Sequence, residues 1–405
     1  MTSPVDNVDV ADPPFADAVL DFVQAHRADF IRVLRQIVRA ESPSTEPSSQ
    51  RRVFELLANQ FDHLGFHIEH IPGDETGGHL YARPRRRTRH RPCQLLLGHC
   101  DTVWDRGTLA KMPVRVEADG KMRGPGIFDM KAGLVQIIFA LRALKVLDLE
   151  PDVTPVVLIT SDEEIGSFES EPYIERLARC TERVFVLEPA LHRDGKIKTA
   201  RKGTGEFQII ARGKAAHSGL DPEEGASAIL ELSHVVQKLF ALNDPERGVT
   251  INVGTIDGGV RTNVVAAEAR VGVDVRVPTR EAAREVESKI HNLSAQTPGV
   301  TLEVQGAIRR MPMERTPANQ ALWHRTEHLG AALGLSLEEG RSGGASDGNF
   351  TSLFTATLDG LGAVGDGAHA DHEFIFVDQT LERCALMALL IMSPPLDAEW
   401  DHPAH

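Results

Sequence analysis

The sequence predicts an α/β fold, in which a larger domain on a mixed, largely parallel sheet is interrupted by a smaller inserted α+β domain. Three observations carry this. Strand-like runs apolar at almost every position, CQLLLGH (93–99) and TPVVLITS (154–161), alternate with helical segments, as parallel strands buried on both faces do. From about residue 204 the order becomes strand, helix, strand, strand, helix, strand, the βαββαβ signature of a split-βαβ, ferredoxin-like sandwich. The 405 residues also exceed the ~100 to 200 of one ordinary domain.

Taken in order, a frayed start is expected to lead into one helix over 16–40, where Val19, Leu20, Val23, Phe30, Val33, Leu34, Ile37 and Val38 fall at helical spacing. A second helix follows near 49–64. Strands are expected at HLYAR (79–83), CQLLLGH (93–99), TPVVLITS (154–161) and RVFVLEP (183–189), with a helix over about 130–147. The inserted segment reads as GEFQIIARG, a helix over 222–242, VTINVGTID, NVVAAEARVGVDVRV, a helix over 279–296 and VTLEVQG. The α/β pattern resumes with a helix near 318–333, a Gly-rich loop GRSGGASDGN and a last helix after Asp378. The domains are therefore read as 1–202 and 313–405 for the larger part and 203–312 for the insert.

The excess of 58 acidic over 44 basic residues, a formal charge of −14, argues against nucleic acid as a partner. One basic run, Arg83 to Arg91, reads as a solvated hairpin loop between two strands. Four scattered cysteines without a CxxC pair suit a reducing compartment. The first residues lack a basic region followed by an apolar one, and no run approaches the ~20 apolar residues of a membrane span, so a cytoplasmic protein with no membrane contact is expected.

Four constellations carry chemistry. In GHCDT (98–102), at the end of a buried strand, alternation puts His99 and Asp101 on one side, where a carboxylate can orient an imidazole. In GPGIFDMKAG (124–133), glycines and a proline deliver Asp129 to the start of a helix, where it would be either a helix cap or a ligand. TSDEEIGS (160–167) sets three carboxylates at the C-terminal end of a strand, with Glu188 at the end of the next. GDGAHADHE (365–373) offers His369 and His372 on a Gly-rich loop. Together, His99, Asp129, Glu163, Glu164, Glu188 and His369 form a histidine and carboxylate set suited to a borderline divalent metal such as Zn²⁺.

The ordered series GHCDT, GPGIFDMK, TSDEEIGS, LEPA, KAAHSG, GGASDGN and GAHADHE resembles the co-catalytic zinc peptidase and amidohydrolase family. That family includes glutamate carboxypeptidase, aminoacylase, acetylornithine deacetylase and succinyl-diaminopimelate desuccinylase. The resemblance implies two Zn²⁺ per chain, with Co²⁺ or Mn²⁺ as substitutes. His99, Asp129 and Glu188 would hold one ion, and Asp129, Glu164 and His369 the other. Glu163 would be the general base and Asp101 would brace His99. His369 is preferred to His372 because the family's histidine precedes a glutamate by several residues, as His369 precedes Glu373.

By the same resemblance, the insert would be a lid and a homodimer contact. His217 in KAAHSG and Asn263 in RTNVV would reach the developing oxyanion in the partner subunit's site, and Arg276 in VDVRV would clamp the substrate carboxylate through its two-pronged fork. Gly360 and the loop Gly343–Asn349 would line the same pocket. The expected activity is hydrolysis of the amide bond of a small N-acyl amino acid or short peptide with a free carboxylate, closest in flavour to glutamate carboxypeptidase. An N-acyl amino acid deacylase of different side-chain preference is the alternative. A non-hydrolytic metal-binding relative and an aminopeptidase are more remote ones.

Overall fold

The computed structural model describes residues 10–86 and 91–396. Its contacts divide the chain into two compact units, Met1–Thr199 with Arg315–Gly340 and Ser346–His405, and Ala200–Glu314 with Arg341–Ala345.

The first unit is built on a six-stranded sheet in the order Phe66–Ile71, His79–Pro84, Thr154–Thr160, Cys93–His99, Arg183–Val186, Ala356–Leu358. The first two pairings are antiparallel and the remaining three parallel, so the sheet is mixed. Successive side chains on a strand point to opposite faces. Leu96, Val157, Ile159 and Phe185 accordingly join one core, shared with the helices Ala132–Val146 and Val377–Met392. Leu95, Leu97, Val156, Leu158 and Val184 join a second core with Ile174 and Phe350. Two covered faces are why these strands read as unbroken apolar runs. The helices Ala132–Val146 and Val377–Met392 are buried around almost their whole circumference, as sequences apolar on all sides require.

Several boundaries differ from the sequence reading. The single helix expected over 16–40 is two, Pro13–Ala25 and Arg27–Arg39, broken at His26, whose ring Nδ1 lies 2.7 Å from the Phe22 carbonyl. The frayed start concerns residues of which 1–9 lie outside the described residues. The helix expected from 222 begins at Ala228, because Ser227 caps it by accepting the Leu230 N–H. The basic run is not a hairpin loop: Thr154–Thr160 lies between the strands His79–Pro84 and Cys93–His99, so the segment is a crossover connection. Residues 87–90 of that run lie outside the described residues, while Arg85 and Arg91 pair with Asp62 and Glu150.

The second unit has four strands in the order Thr250–Gly258, Glu268–Val277, Gly203–Arg212, Thr301–Arg310, with every pairing antiparallel. The helices Ala228–Phe240 and Arg280–His291 cover one face through Leu232, Val235, Val286 and Ile290, against Phe207, Ile209, Val271 and Val273. The other face stays polar, so residues along Glu268–Val277 alternate between buried and accessible. Among the described residues no helix is long and apolar enough to cross a membrane, and none of the four cysteines is joined in a disulfide.

Candidate metal centre

Parallel register pairs His99 with Thr160 and Leu97 with Val186, so three neighbouring strands end at one edge of the sheet. The residues just beyond those ends are His99 itself, the turn Glu163–Ile165 and Glu188. Ligands gather at such edges because the chain leaves the sheet there with its side chains unconstrained by pairing.

Two loops complete the site. Asp129 lies in the irregular segment that enters the helix Ala132–Val146; it does not cap that helix. His369 stands at the tip of a turn between the short strands Gly365–Asp366 and Phe374–Phe376, at φ 60°. The ring of His372 instead faces its neighbour, with Nδ1 3.6 Å from Asp371 Oδ1.

The imidazole of His99 turns Nδ1 toward Asp101, 3.3 Å from Oδ1, and Nε2 toward Asp129 Oδ1 at 3.2 Å and Glu188 Oε1 at 3.4 Å. The second imidazole, His369, faces Asp129 Oδ2 at 3.5 Å and Glu164 Oε2 at 3.1 Å through its Nε2. Asp129 thus addresses one histidine with each of its oxygens. His99, Glu163 and Glu188 each offer an atom within 4.8 Å of the others, as do His99, Asp129 and Glu164. Proximity alone therefore does not separate Glu163 from the ligands; the pairing of Glu164 with His369 does distinguish the two neighbours.

The electrostatics are those of an over-supplied anionic site. Burial alone would lower the pKa of His99, yet Asp101, Asp129 and Glu188 around it hold it well above the usual histidine range. His369 is pushed up to about 10 by Asp129 and Glu164. Burial, with Asp129 and Glu163 adding to it against the hydrogen bond from His369, pushes Glu164 up to about 7. Its Oε1 is buried with no hydrogen-bond partner among the described residues. Four carboxylates, two imidazole nitrogens and an orphaned buried oxygen fit a pair of divalent cations of the Zn²⁺ class, which would relieve the repulsion and use the free lone pairs.

The sequence reading named Asp101 as the brace of His99 but missed the residues that support it and the Asp129 loop. Asp101, fully buried, accepts the hydroxyl of Ser44 at 2.8 Å and the N–H groups of Glu163 and Glu164 at 3.3 and 3.2 Å. Glu373, noted only as a marker for His369, is buried and accepts the N–H groups of Gly126, Phe128 and Asp129 and the indole N–H of Trp104. The Leu187–Glu188 peptide is held between two glycines: a Cβ at Gly133 would lie 2.1 Å from the Leu187 carbonyl oxygen, and one at Gly362 would lie 2.2 Å from it.

The other candidates fall elsewhere. His217 and Asn263 belong to the second unit, where the Ser218 N–H donates to the Asn263 carbonyl and His217 bridges to Val264. The structure therefore brings those two loops together. Arg276, also in the second unit, is about one-third exposed and already forms a fork-like pair with Asp274, Nε to Oδ2 at 3.0 Å and Nη2 to Oδ1 at 2.9 Å. Gly360 sits at φ 71° against the stem of Lys198, in the first unit.

Comparison with known proteins accords with this arrangement. The model of peptidase family M20/M25/M40 matches residues 95–393. Carboxypeptidase G2 of Pseudomonas sp. (strain RS-16) is 29% identical over 377 residues, spanning 89% of this chain and 88% of that protein. Acetylornithine deacetylase of Proteus mirabilis is 28% identical over 316 residues, 72% of this chain and 79% of that one. Among solved structures, aminopeptidase PepT from Bacillus cereus superposes with a TM-score of 0.72 at 20% identity, covering 92% of this chain and 98% of that one, which speaks for a shared fold. With the family match running from the first metal-facing strand through the last helix, the chain belongs to peptidase family M20/M25/M40 and is a metal-dependent hydrolase of the peptidase and amidohydrolase type.

Proposed function

We propose that the protein hydrolyses the amide bond of an N-acyl amino acid or short peptide bearing a free carboxylate, with a glutamate-carboxypeptidase-like preference. The observation that carries the two-metal reading is the divided carboxylate of Asp129, one oxygen toward His99 and the other toward His369. In this reading His99, Asp129 and Glu188 hold one Zn²⁺ and Asp129, Glu164 and His369 the second, with Asp129 common to both. When bound, the two ions would polarise the scissile carbonyl and lower the pKa of a bound water to about 7.

The chain's own groups do the rest. Asp101 accepts the Nδ1 hydrogen of His99 and so presents Nε2 as the ligand nitrogen. Glu163 takes a proton from the attacking water and returns it to the departing amine, a contribution of about 10²–10⁴-fold. His217 and Asn263 donate to the developing oxyanion. Arg276 exchanges Asp274 for the substrate carboxylate. The segment 203–312 serves as lid and as homodimer contact, with residues 1–202 and 313–405 as the catalytic part. Support for the carboxypeptidase reading comes from the likeness to carboxypeptidase G2 along most of both chains.

The deciding experiment is a screen of N-acyl amino acids and dipeptides on metal-loaded and chelated protein. Release of C-terminal glutamate, abolished by chelation and restored by Zn²⁺ or Co²⁺, is the expected result. Faster cleavage of N-acetylated amino acids other than glutamate would favour the deacylase reading, which the likeness to acetylornithine deacetylase supports. No bound ion after purification without chelators, and no gain from any added divalent ion, would overturn the two-metal reading.

A further inference from the structure

Glu373 is one of the most deeply buried carboxylates among the described residues, about 1% exposed, and the four groups that donate to it are all uncharged N–H groups. Instead both oxygens are filled by N–H donors. Oε1 accepts Phe128 N–H at 2.8 Å and Asp129 N–H at 3.1 Å, and Oε2 accepts Gly126 N–H at 2.8 Å and Trp104 indole N–H at 2.9 Å. Those donors belong to two segments other than its own: the loop that carries Asp129 and the loop after GHCDT. Its own backbone closes the turn that carries His369, the Glu373 N–H donating to the Ala370 carbonyl at 3.0 Å. One side chain thus links the loops of Asp129 and His369, which lie 240 residues apart and which meet where His369 Nε2 faces Asp129 Oδ2 at 3.5 Å.

We propose that Glu373 is a positioning residue for the metal pair. Resting on the two-metal reading above, the inference is that its carboxylate fixes the backbone of Asp129 relative to the turn of His369, and so sets the spacing of the ligands of the second ion. A carboxylate suits this task because both of its oxygens can accept, and all four groups around it are N–H donors. An amide offers one acceptor and one donor, so whichever oxygen glutamine replaces with –NH₂, two N–H groups are left facing a donor. Support of a ligand from outside the coordination shell is worth about 10- to 100-fold in metal affinity.

The test is direct metal binding by folded apoprotein, prepared by chelation and titrated with Zn²⁺ against a chromophoric competitor, with the visible spectrum of the Co²⁺-loaded protein as a second readout. Glu373→Gln is expected to raise the Zn²⁺ dissociation constant of the weaker site about 10- to 100-fold and to change the Co²⁺ bands, with near-UV circular dichroism preserved. Trp104→Phe, which removes one donor of four, is expected to raise it by less than about ten-fold. Should Glu373→Gln not fold, Glu373→Asp decides: it keeps the charge but is one methylene short, and an unchanged dissociation constant in it overturns the inference. So does a Glu373→Gln protein that melts earlier yet, while folded, binds Zn²⁺ and colours Co²⁺ as the wild type does, because that is what a purely structural role gives. A wild-type chain that binds no ion would instead overturn the metal reading itself.

Discussion

The hydroxyl of Ser44 donates to Oδ2 of Asp101 at 2.8 Å, across 57 residues of sequence, and both side chains are buried. Asp101 in turn accepts the N–H groups of Glu163 and Glu164, so Ser44 helps hold the residue that orients His99 and anchors the turn with the acidic triplet. Ser44→Ala leaves a buried carboxylate one donor short. Calorimetry should register a loss of about 1–3 kcal/mol, and metal titration a weaker first site. Unchanged values for both would remove Ser44 from the supporting network.

The neighbours Glu163 and Glu164 should separate on substitution. Glu163→Gln is expected to retain both ions and lower kcat at least about 10²-fold. Glu164→Gln, which disturbs the contact with His369, is expected to lower the metal content of one site. Equal metal loss in the two variants, measured by elemental analysis, would mean that base and ligand have been interchanged.

His217 is read as completing the oxyanion site of the opposite subunit. Homodimers of His217→Ala and of Glu163→Gln should each be almost inactive, since removing one oxyanion donor typically costs about 10²–10³ in kcat. Re-pairing equal amounts makes about half the dimers mixed, each with one intact site of its two, so roughly a quarter of wild-type activity should return if sites act independently. No recovery despite demonstrated subunit exchange would place His217 outside the partner's site.

In the second unit, buried Glu231 accepts the Thr297 N–H at 2.6 Å and the Gln296 N–H at 3.0 Å, which ties the helix Ala228–Phe240 to the loop before the strand Thr301–Arg310. Burial would raise its pKa, but the Thr297 and Gln296 donors outweigh it and hold the carboxyl below the usual glutamate value. A depressed folded pKa contributes stability that is complete above the unfolded value of about 4.3 and is lost as pH falls through the folded one. Glu231→Gln should therefore melt below the wild type at pH 7, with the gap narrowing steadily below about pH 4. A gap that is constant with pH would show that the charge of Glu231 contributes nothing.

What was legible in the sequence followed from local rules. The strands ending at His99, Thr160 and Val186 announce themselves by unbroken apolar runs, and the acidic residues just past them by position alone. The strand Phe66–Ile71 does not, because it buries little but Phe66 and pairs at the sheet edge. The hairpin expected at the basic run failed for a related reason: nothing in two adjacent strands reveals that a third, 55 residues later, inserts between them. Ser44, Trp104 and Glu373 were invisible as site residues, since a serine, a tryptophan or a glutamate acquires its role only from partners brought near by the whole fold.

The two glycines that grip the Leu187–Glu188 peptide act as a fixed jig for a ligand they never touch with a side chain. A methyl group at Gly133 or Gly362 would have to move the Leu187 carbonyl, and Glu188 is the very next residue along. Ions that accept the same donors are told apart chiefly by the spacing and geometry those donors impose. On the two-metal reading proposed above, the spacing of one ligand is thus set in part by two positions whose contribution is the absence of a side chain.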